Sequence, residues 1–184
     1  MKKIVVIDCQ NDFISGPLAC KNSNEVLKNI INFIDNNNSK VYYTCDWHTK
    51  NNKSFKTNGG IWEEHCVQGT KGAEISDKFK KLKQTQNIPN NQNTYKKGID
   101  DNIEEYSAYK SKNFYSKVLN EVISEEIYIC GIASEYCVRQ TALDFLKNGT
   151  KVYLIKNAIG YMDYFEHIKN LKDLEKMGAI LLWI

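Results

Sequence analysis

A cysteine that follows an apolar run and opens an amphipathic segment can serve as a nucleophile, provided something takes its proton. Cys137 holds that place in "GIASEYCVRQTALD": the preceding "EIYICG" reads as a strand, and the residues after it repeat at helical spacing. A free thiol near pKa ~8.5 stays mostly protonated at neutral pH. Unpaired N–H groups in the first turn of a helix favour an anion there, and the same groups could hold an oxyanion. Asp8, at the end of "KIVVI", could accept the thiol proton. A lysine at the end of "TYKK", Lys96 or Lys97, could add a positive charge that favours both carboxylate and thiolate.

A second constellation suits a metal ion. "DWH" sets Asp46 and His48 two residues apart, so in an extended segment both side chains share a face. His65, in "WEEHCVQGTKGAE", could complete the set from the same long loop. One carboxylate and two imidazoles suit a borderline divalent ion such as zinc, iron or manganese. Three protein ligands leave positions open for water or substrate. His167 sits on a mostly polar helix with no evident partner and is expected to face solvent.

These residues need a scaffold to bring them together. Short runs rich in branched residues, "KIVVI", "KVYYT", "TYKK", "EIYICG", "KVYLI" and "AILLWI", read as six strands. Between them, helical spacing is seen in "NSNEVLKNIINFI", "FYSKVLNEVI", residues 136–148 and "YFEHIKNLKDLEKM", and weakly over residues 75–82. Alternation of this kind predicts an α/β fold with a mostly parallel sheet covered on both faces, forming one domain over residues 1–184. Ligands in such sheets sit beyond the carboxyl ends of the strands. Asp8, the Asp46–His48 pair and Cys137 all fall at those ends.

Composition narrows the function class. The chain has 184 residues, 42% of them hydrophobic and 26% charged, which suits a globular domain with a full core. The net charge of +3 is dispersed and the densest basic cluster, "KFKKLKQ", is short, so no nucleic-acid surface is expected. No apolar run approaches the ~18 residues of a membrane span. "MKKIVVIDCQ" meets Asp8 too soon for a signal peptide, so a cytoplasmic location is the expectation. Six cysteines without a CxxC pair are expected to be free thiols.

Five blocks, in order, give the chain a resemblance to the nicotinamidase branch of the isochorismatase-like cysteine hydrolases. "VVIDCQNDF" resembles the block of the catalytic aspartate, here Asp8. "CDWH" resembles the metal block of Asp46 and His48, and "WEEHCVQGTKGAE" the loop that supplies His65. "KKGIDDNIEEYSAY" is similar to the block whose lysine directly precedes glycine, which maps that role to Lys97. "GIASEYCVRQTALD" is similar to the nucleophile block, with Cys137 as nucleophile.

The resemblance implies a three-layer α/β/α fold of Rossmann-like type with about six strands. It also implies a cis peptide before Ala133, with the N–H groups of Ala133 and Cys137 forming the oxyanion hole. Aromatic walls are implied at Phe13, Trp62, Tyr106 and Tyr136. The implied reaction is hydrolysis of nicotinamide to nicotinate and ammonia through a thioester, with one divalent metal ion, zinc first and iron or manganese as alternatives. The implied partner is the small-molecule substrate, and relatives suggest self-association. Two other readings stay open: a sister hydrolase acting on another amide or carbamoyl group, and a non-catalytic metal-binding module.

The chain departs from the family pattern at Asn52, where many relatives carry a second histidine. Either the site keeps three protein ligands plus waters, or Asn52 contributes a weak oxygen. Glu63 and Glu64 replace common prolines and are expected to face solvent. Lys97 is expected to keep both Asp8 and the thiolate charged in the resting site.

Overall fold

The computed structural model describes residues 1–123 and 125–184. Strand β1, Lys2–Ile7, shows why the sheet lies at the centre. Ile4 and Val6 enter the core on one face, while Val5 and Ile7 enter the core on the other. A run apolar at every position is what burial on both faces requires. The remaining strands are β2 (Ser39–Asp46), β3 (Thr94–Lys97), β4 (Lys112–Asn113), β5 (Glu126–Gly131), β6 (Lys151–Ile159) and β7 (Ile180–Leu182). They form one seven-stranded sheet in the order β4-β3-β2-β1-β5-β6-β7, parallel except for the β3–β4 pair.

Helix α2 (Ser23–Asp35) covers one face with Val26, Leu27, Ile30 and Ile34. Helices α4 (Arg139–Lys147) and α5 (Tyr164–Lys176) cover the other with Ala142, Phe145, Leu171 and Leu174. Two short helices, α1 (Asn11–Ile14) and α3 (Leu119–Val122), complete the set. Three layers result, as the alternation of strands and helices predicts. Among the described residues, no helix is long and apolar enough to cross a membrane.

Several elements differ from the sequence expectation. A seventh strand, β4, pairs antiparallel over two residues, too few to leave a pattern. The helix expected over "FYSKVLNEVI" shrinks to α3. Asn113 Oδ1 accepts from the N–H groups of Tyr115 and Lys117, both at 3.0 Å, and this local turn competes with helix formation. Residues 75–82 yield only a 3-10 turn, Asp77–Lys81, which Ser76 caps. The segment after β1 contains α1, whose four residues are too few to leave a periodic pattern. The helix expected from residue 136 begins earlier, in a π-type turn over Ser134–Val138.

Strand order reverses at β1: the chain runs out through β2 and β3, then returns to place β5 on the other side of β1. That reversal opens a crevice beyond the carboxyl ends of the strands.

Candidate active site

Register alone places the first charges. Asp46 and Lys97 are partners in the β2–β3 pairing, and Ile7, just before Asp8, pairs with Gly131. Gly131 adopts φ +114, and a Cβ there would meet the Ile7 carbonyl oxygen at 2.2 Å. The close approach of β5 to β1 at the crevice therefore depends on glycine. Asp8 itself takes a left-handed φ of 44, a conformation that costs energy for a non-glycine residue and clusters at functional sites.

The Lys97 ammonium sits at the centre of the cluster, 3.0 Å from Asp8 Oδ2 and 3.3 Å from Cys137 Sγ, and it pairs with Asp46 Oδ1. Lys97 and Asp8 are both fully enclosed. Thr44 donates its hydroxyl to Asp8 Oδ1 at 2.6 Å. Asp8 Oδ2 has the lysine charge beside it but no directed hydrogen bond, so it keeps acceptor capacity beside the thiol.

Burial works to lower the Lys97 pKa, but Asp46 and Asp8 hold the ammonium well above its ordinary range. Burial works to raise the Asp46 carboxyl, yet Lys97 and His48 hold it well below the usual range. At Asp8 burial wins over Lys97, aided by Asp46, and the carboxyl is raised. A raised carboxylate is a better proton acceptor. Burial pushes the Cys137 thiol well above its ordinary value; Lys97 opposes this, while Asp8 and Asp46 reinforce it. The expected resting thiolate is not what this arrangement favours: burial and two carboxylates push the thiol up, and one ammonium opposes them.

Beside this cluster, ligand atoms of Asp46, His48 and His65 lie within 4.8 Å of one another. His48 Nδ1 lies 2.8 Å from the Gly98 carbonyl oxygen, and His65 Nδ1 lies 2.7 Å from that of Glu63. Each carbonyl fixes Nδ1 as the protonated nitrogen and leaves Nε2 bare. Burial keeps the His65 pKa below its ordinary value, which favours the neutral imidazole a metal needs. The donor set thus fits one divalent ion, held by a carboxylate and two imidazole nitrogens.

Asn52 stands apart from the set. Its Nδ2 lies 3.2 Å from His48 Nδ1, the nitrogen already tied to Gly98, and its Oδ1 accepts from the Ser54 N–H at 2.9 Å. That arrangement matches three protein ligands. Glu63 pairs with Lys56 at 2.6 Å and Glu64 accepts from Thr57, both at the surface as expected.

Gly98 carries the His48 orientation. Its φ is +65, and a Cβ would meet His48 Cε1 at 2.4 Å. Gly98→Ala is expected to cost about 1–2 kcal/mol from the backbone alone. By turning the imidazole it should also weaken metal binding ~10–100-fold, a loss that titration of the apoprotein with zinc would read.

Phe13, Trp62, Tyr106 and Tyr136 line the same cavity as Asp46, His48, His65, Ala133 and Cys137. The Trp62 and Tyr136 rings meet edge-on at 5.0 Å, and Tyr106 lies 5.6 Å from Tyr136. Glu104 gathers this wall: the Trp62 indole donates to its Oε1 at 2.7 Å, and the Tyr106 hydroxyl donates to the same oxygen. The Ile132–Ala133 peptide is cis. Tyr136 and Val138 N–H groups both donate to the Ala133 carbonyl, each at 3.2 Å. The Ala133 N–H has no acceptor among the described residues.

Asp8, Lys97, Cys137, Asp46, His48, His65, Ala133 and the four aromatic residues converge here, whereas Lys96 lies over the Trp47 ring, Asn52 stands behind His48, and His167 lies elsewhere. That histidine is buried, not solvent-facing, and its Nδ1 lies 2.8 Å from Ser134 Oγ. Thr44, Gln10 and Glu104 were not singled out. Gln10 is enclosed and binds Asp46 at both its N–H and its carbonyl, each at 2.8 Å. No local spacing marks it, because the left-handed Asp8 breaks the strand alternation before Gln10. Of the six cysteines, all free, only Cys20 and Cys137 line the cavity. Burial pushes Cys20 up to about 12 and holds Cys9, Cys45, Cys66 and Cys130 above their ordinary values as well.

The chain is similar to known proteins along most of its length. The chain is 30% identical to the nicotinamidase of Acinetobacter baylyi over 182 residues, 87% of this chain and 81% of the relative. A pyrazinamidase of Pyrococcus horikoshii in complex with zinc superposes with a TM-score of 0.83 at 30% identity, covering 100% of this chain and 99% of the other. The yeast nicotinamidase bound to the inhibitor nicotinaldehyde gives 0.88 at 25% identity, with 100% of both chains covered. The isochorismatase domain matches residues 2–183, and the chain belongs to that family.

Proposed function

We propose that this protein is a nicotinamidase, a cysteine amidohydrolase that converts nicotinamide to nicotinate and ammonia, and that residues 1–184 act as one hydrolase domain. One juxtaposition carries the reading. Cys137 Sγ lies 3.3 Å from an ammonium that is itself 3.0 Å from Asp8, and Cys137 lines one aromatic-walled cavity together with the donor set of Asp46, His48 and His65. The named relatives support the same substrate class.

In the proposed reaction the carboxamide carbon meets Cys137 Sγ. As the S–C bond forms, the thiol proton passes to Asp8, whose raised pKa and free Oδ2 suit it to accept. The free Ala133 N–H, with that of Cys137, faces the oxygen on which charge develops; such donors are typically worth several kcal/mol in the transition state. Asp8 then gives its proton to the departing amine, ammonia leaves, and a thioester remains. Water next loses a proton to Asp8 as it attacks, and that proton returns to sulfur as nicotinate is released. Lys97 stays charged throughout and offsets the two buried carboxylates.

Asp46, His48 and His65 would hold one divalent ion, zinc first by the chemistry of the set, with iron or manganese as alternatives. Bound there, the ion would act as a Lewis acid that binds the pyridine nitrogen and orients the ring. Phe13 and Trp62 would flank that ring, with Tyr106 and Tyr136 closing the wall.

The decisive assay is ammonia release from nicotinamide by the purified protein; a metal-replete preparation that releases none sinks the reading. Dialysis against a chelator is expected to remove activity, and added divalent ion to restore it. His65→Ala is expected to lower bound metal well below one per chain by elemental analysis, because two donors hold a divalent ion far more weakly than three.

A further inference from the structure

We infer that Asn170 and His167, on α5, are positioning residues that hold the Cys137 turn in its reactive geometry; the inference rests on the amidohydrolase reading above. The turn Ser134–Val138 carries the nucleophile and follows the Ala133 N–H directly. Ser134 is pinned at every polar atom. Its N–H donates to the Gly160 carbonyl at 2.8 Å. Its carbonyl accepts from Asn170 Nδ2 at 2.6 Å, and its hydroxyl lies 3.0 Å from the same Nδ2 and 2.8 Å from His167 Nδ1.

The Asn170 amide can face only one way. Its nitrogen meets a carbonyl, while its oxygen accepts from Arg139 Nη1 at 2.5 Å. Arg139, the only arginine in the chain, opens α4, so one side chain ties both ends of the turn to α5. The His167 ring stacks on Tyr161 at 4.9 Å, which fixes the direction of Nδ1. Glu135 adds a further tie, accepting from the Met162 and Asp163 N–H groups just before α5.

Ser134, His167 and Asn170 are all more than nine-tenths buried, and neither of the α5 pair lines the cavity. Hydrogen bonds in such surroundings are kept because breaking one strands its partner. A π-type turn is rare and recurs at functional sites. Here its irregular backbone is over-determined from outside, by a helix that contributes no residue to the cavity lining.

Asn170→Leu and His167→Phe keep bulk and remove the polar atoms. Each is expected to lower kcat per folded chain about tenfold or more, with KM within about twofold, since a shift of about 1 Å at reacting groups can cost ~100-fold. Alkylation of Cys137 by iodoacetamide, mapped by peptide mass, should slow in parallel as sulfur leaves its contact with Asp8. His167→Asn, which returns a polar atom near the place of Nδ1, should recover most of both rates. Equal kcat and equal alkylation per folded chain in the leucine and phenylalanine variants would overturn the inference. So would a loss that His167→Asn fails to relieve while the thermal midpoint falls, because that marks a role in stability alone. A wild-type chain that alkylates at Cys137 yet releases no ammonia would fail as an amidase; the alkylation rates would then decide the positioning role by themselves.

Discussion

Cys137→Ala is expected to lower ammonia release from nicotinamide by about 10^4-fold or more, because covalent attack has no substitute in this cavity. The remaining side chains within reach of Sγ are an ammonium and carboxylates already paired with it. Cys20 also lines the cavity, but its Sγ lies against the Met162 sulfur at 3.7 Å, while the ammonium and the carboxylates gather at Cys137. The variant should fold normally, since it exchanges one small buried side chain for another. Its metal content should equal that of the parent, because Asp46, His48 and His65 are untouched. Activity that survives the substitution would refute a thioester route.

Lys97→Met is expected to be the most damaging change to both activity and stability. It leaves Asp8 and Asp46 buried together without their shared counter-charge. Breaking such a cluster from one side typically costs about 3–5 kcal/mol. For a chain of this size that is a fall of roughly 6–20 °C in the thermal midpoint, read by calorimetry.

The loss should depend on pH in a defined sense. In the parent, Asp46 lies below its ordinary value, so its pairing stabilises the fold above pH ~3.9 and fades as pH falls through the lower folded value. The raised Lys97 pKa adds stability below ~10.4, hence across the neutral range. In the variant, burial loses its main opponent at both carboxyls, with only His48 beside Asp46 and Thr44 beside Asp8 remaining, and the carboxyls rise. A raised carboxyl stabilises only below its unfolded pKa and destabilises as pH rises above it. The gap between parent and variant is therefore expected to narrow toward pH ~4 and to widen toward neutrality. A gap that stays constant over that range would show that the ammonium is not neutralising buried carboxylates.

Much of the site was legible because its chemistry is written in residue type and local spacing. Asp46 and His48 share an extended segment, and His65 lies in the same long loop, so a donor set could be read from one stretch. Asp8, Asp46 and the Cys137 turn each follow an apolar run, which marks them as strand-end residues. The choice between Lys96 and Lys97 needed the motif, and the β2–β3 register gives the physical reason. Lys97 pairs with Asp46 and turns inward, while Lys96 points the other way and lies over the Trp47 ring. Alternation along a strand makes one of two neighbouring lysines central and the other peripheral.

The sequence by itself determined the main alternation of strands and helices, the candidate reactive residues and the make-up of the candidate donor set, because these depend on side-chain type and short-range period. Only the tertiary structure decided that the Cys137 thiol is pushed up by its surroundings, that Asn52 stands behind His48, and that His167 meets a turn 33 residues away. The physical reason is desolvation. Whether a thiol, an amide or an imidazole is charged, free or bonded depends on what distant segments remove from water, and no local spacing encodes that.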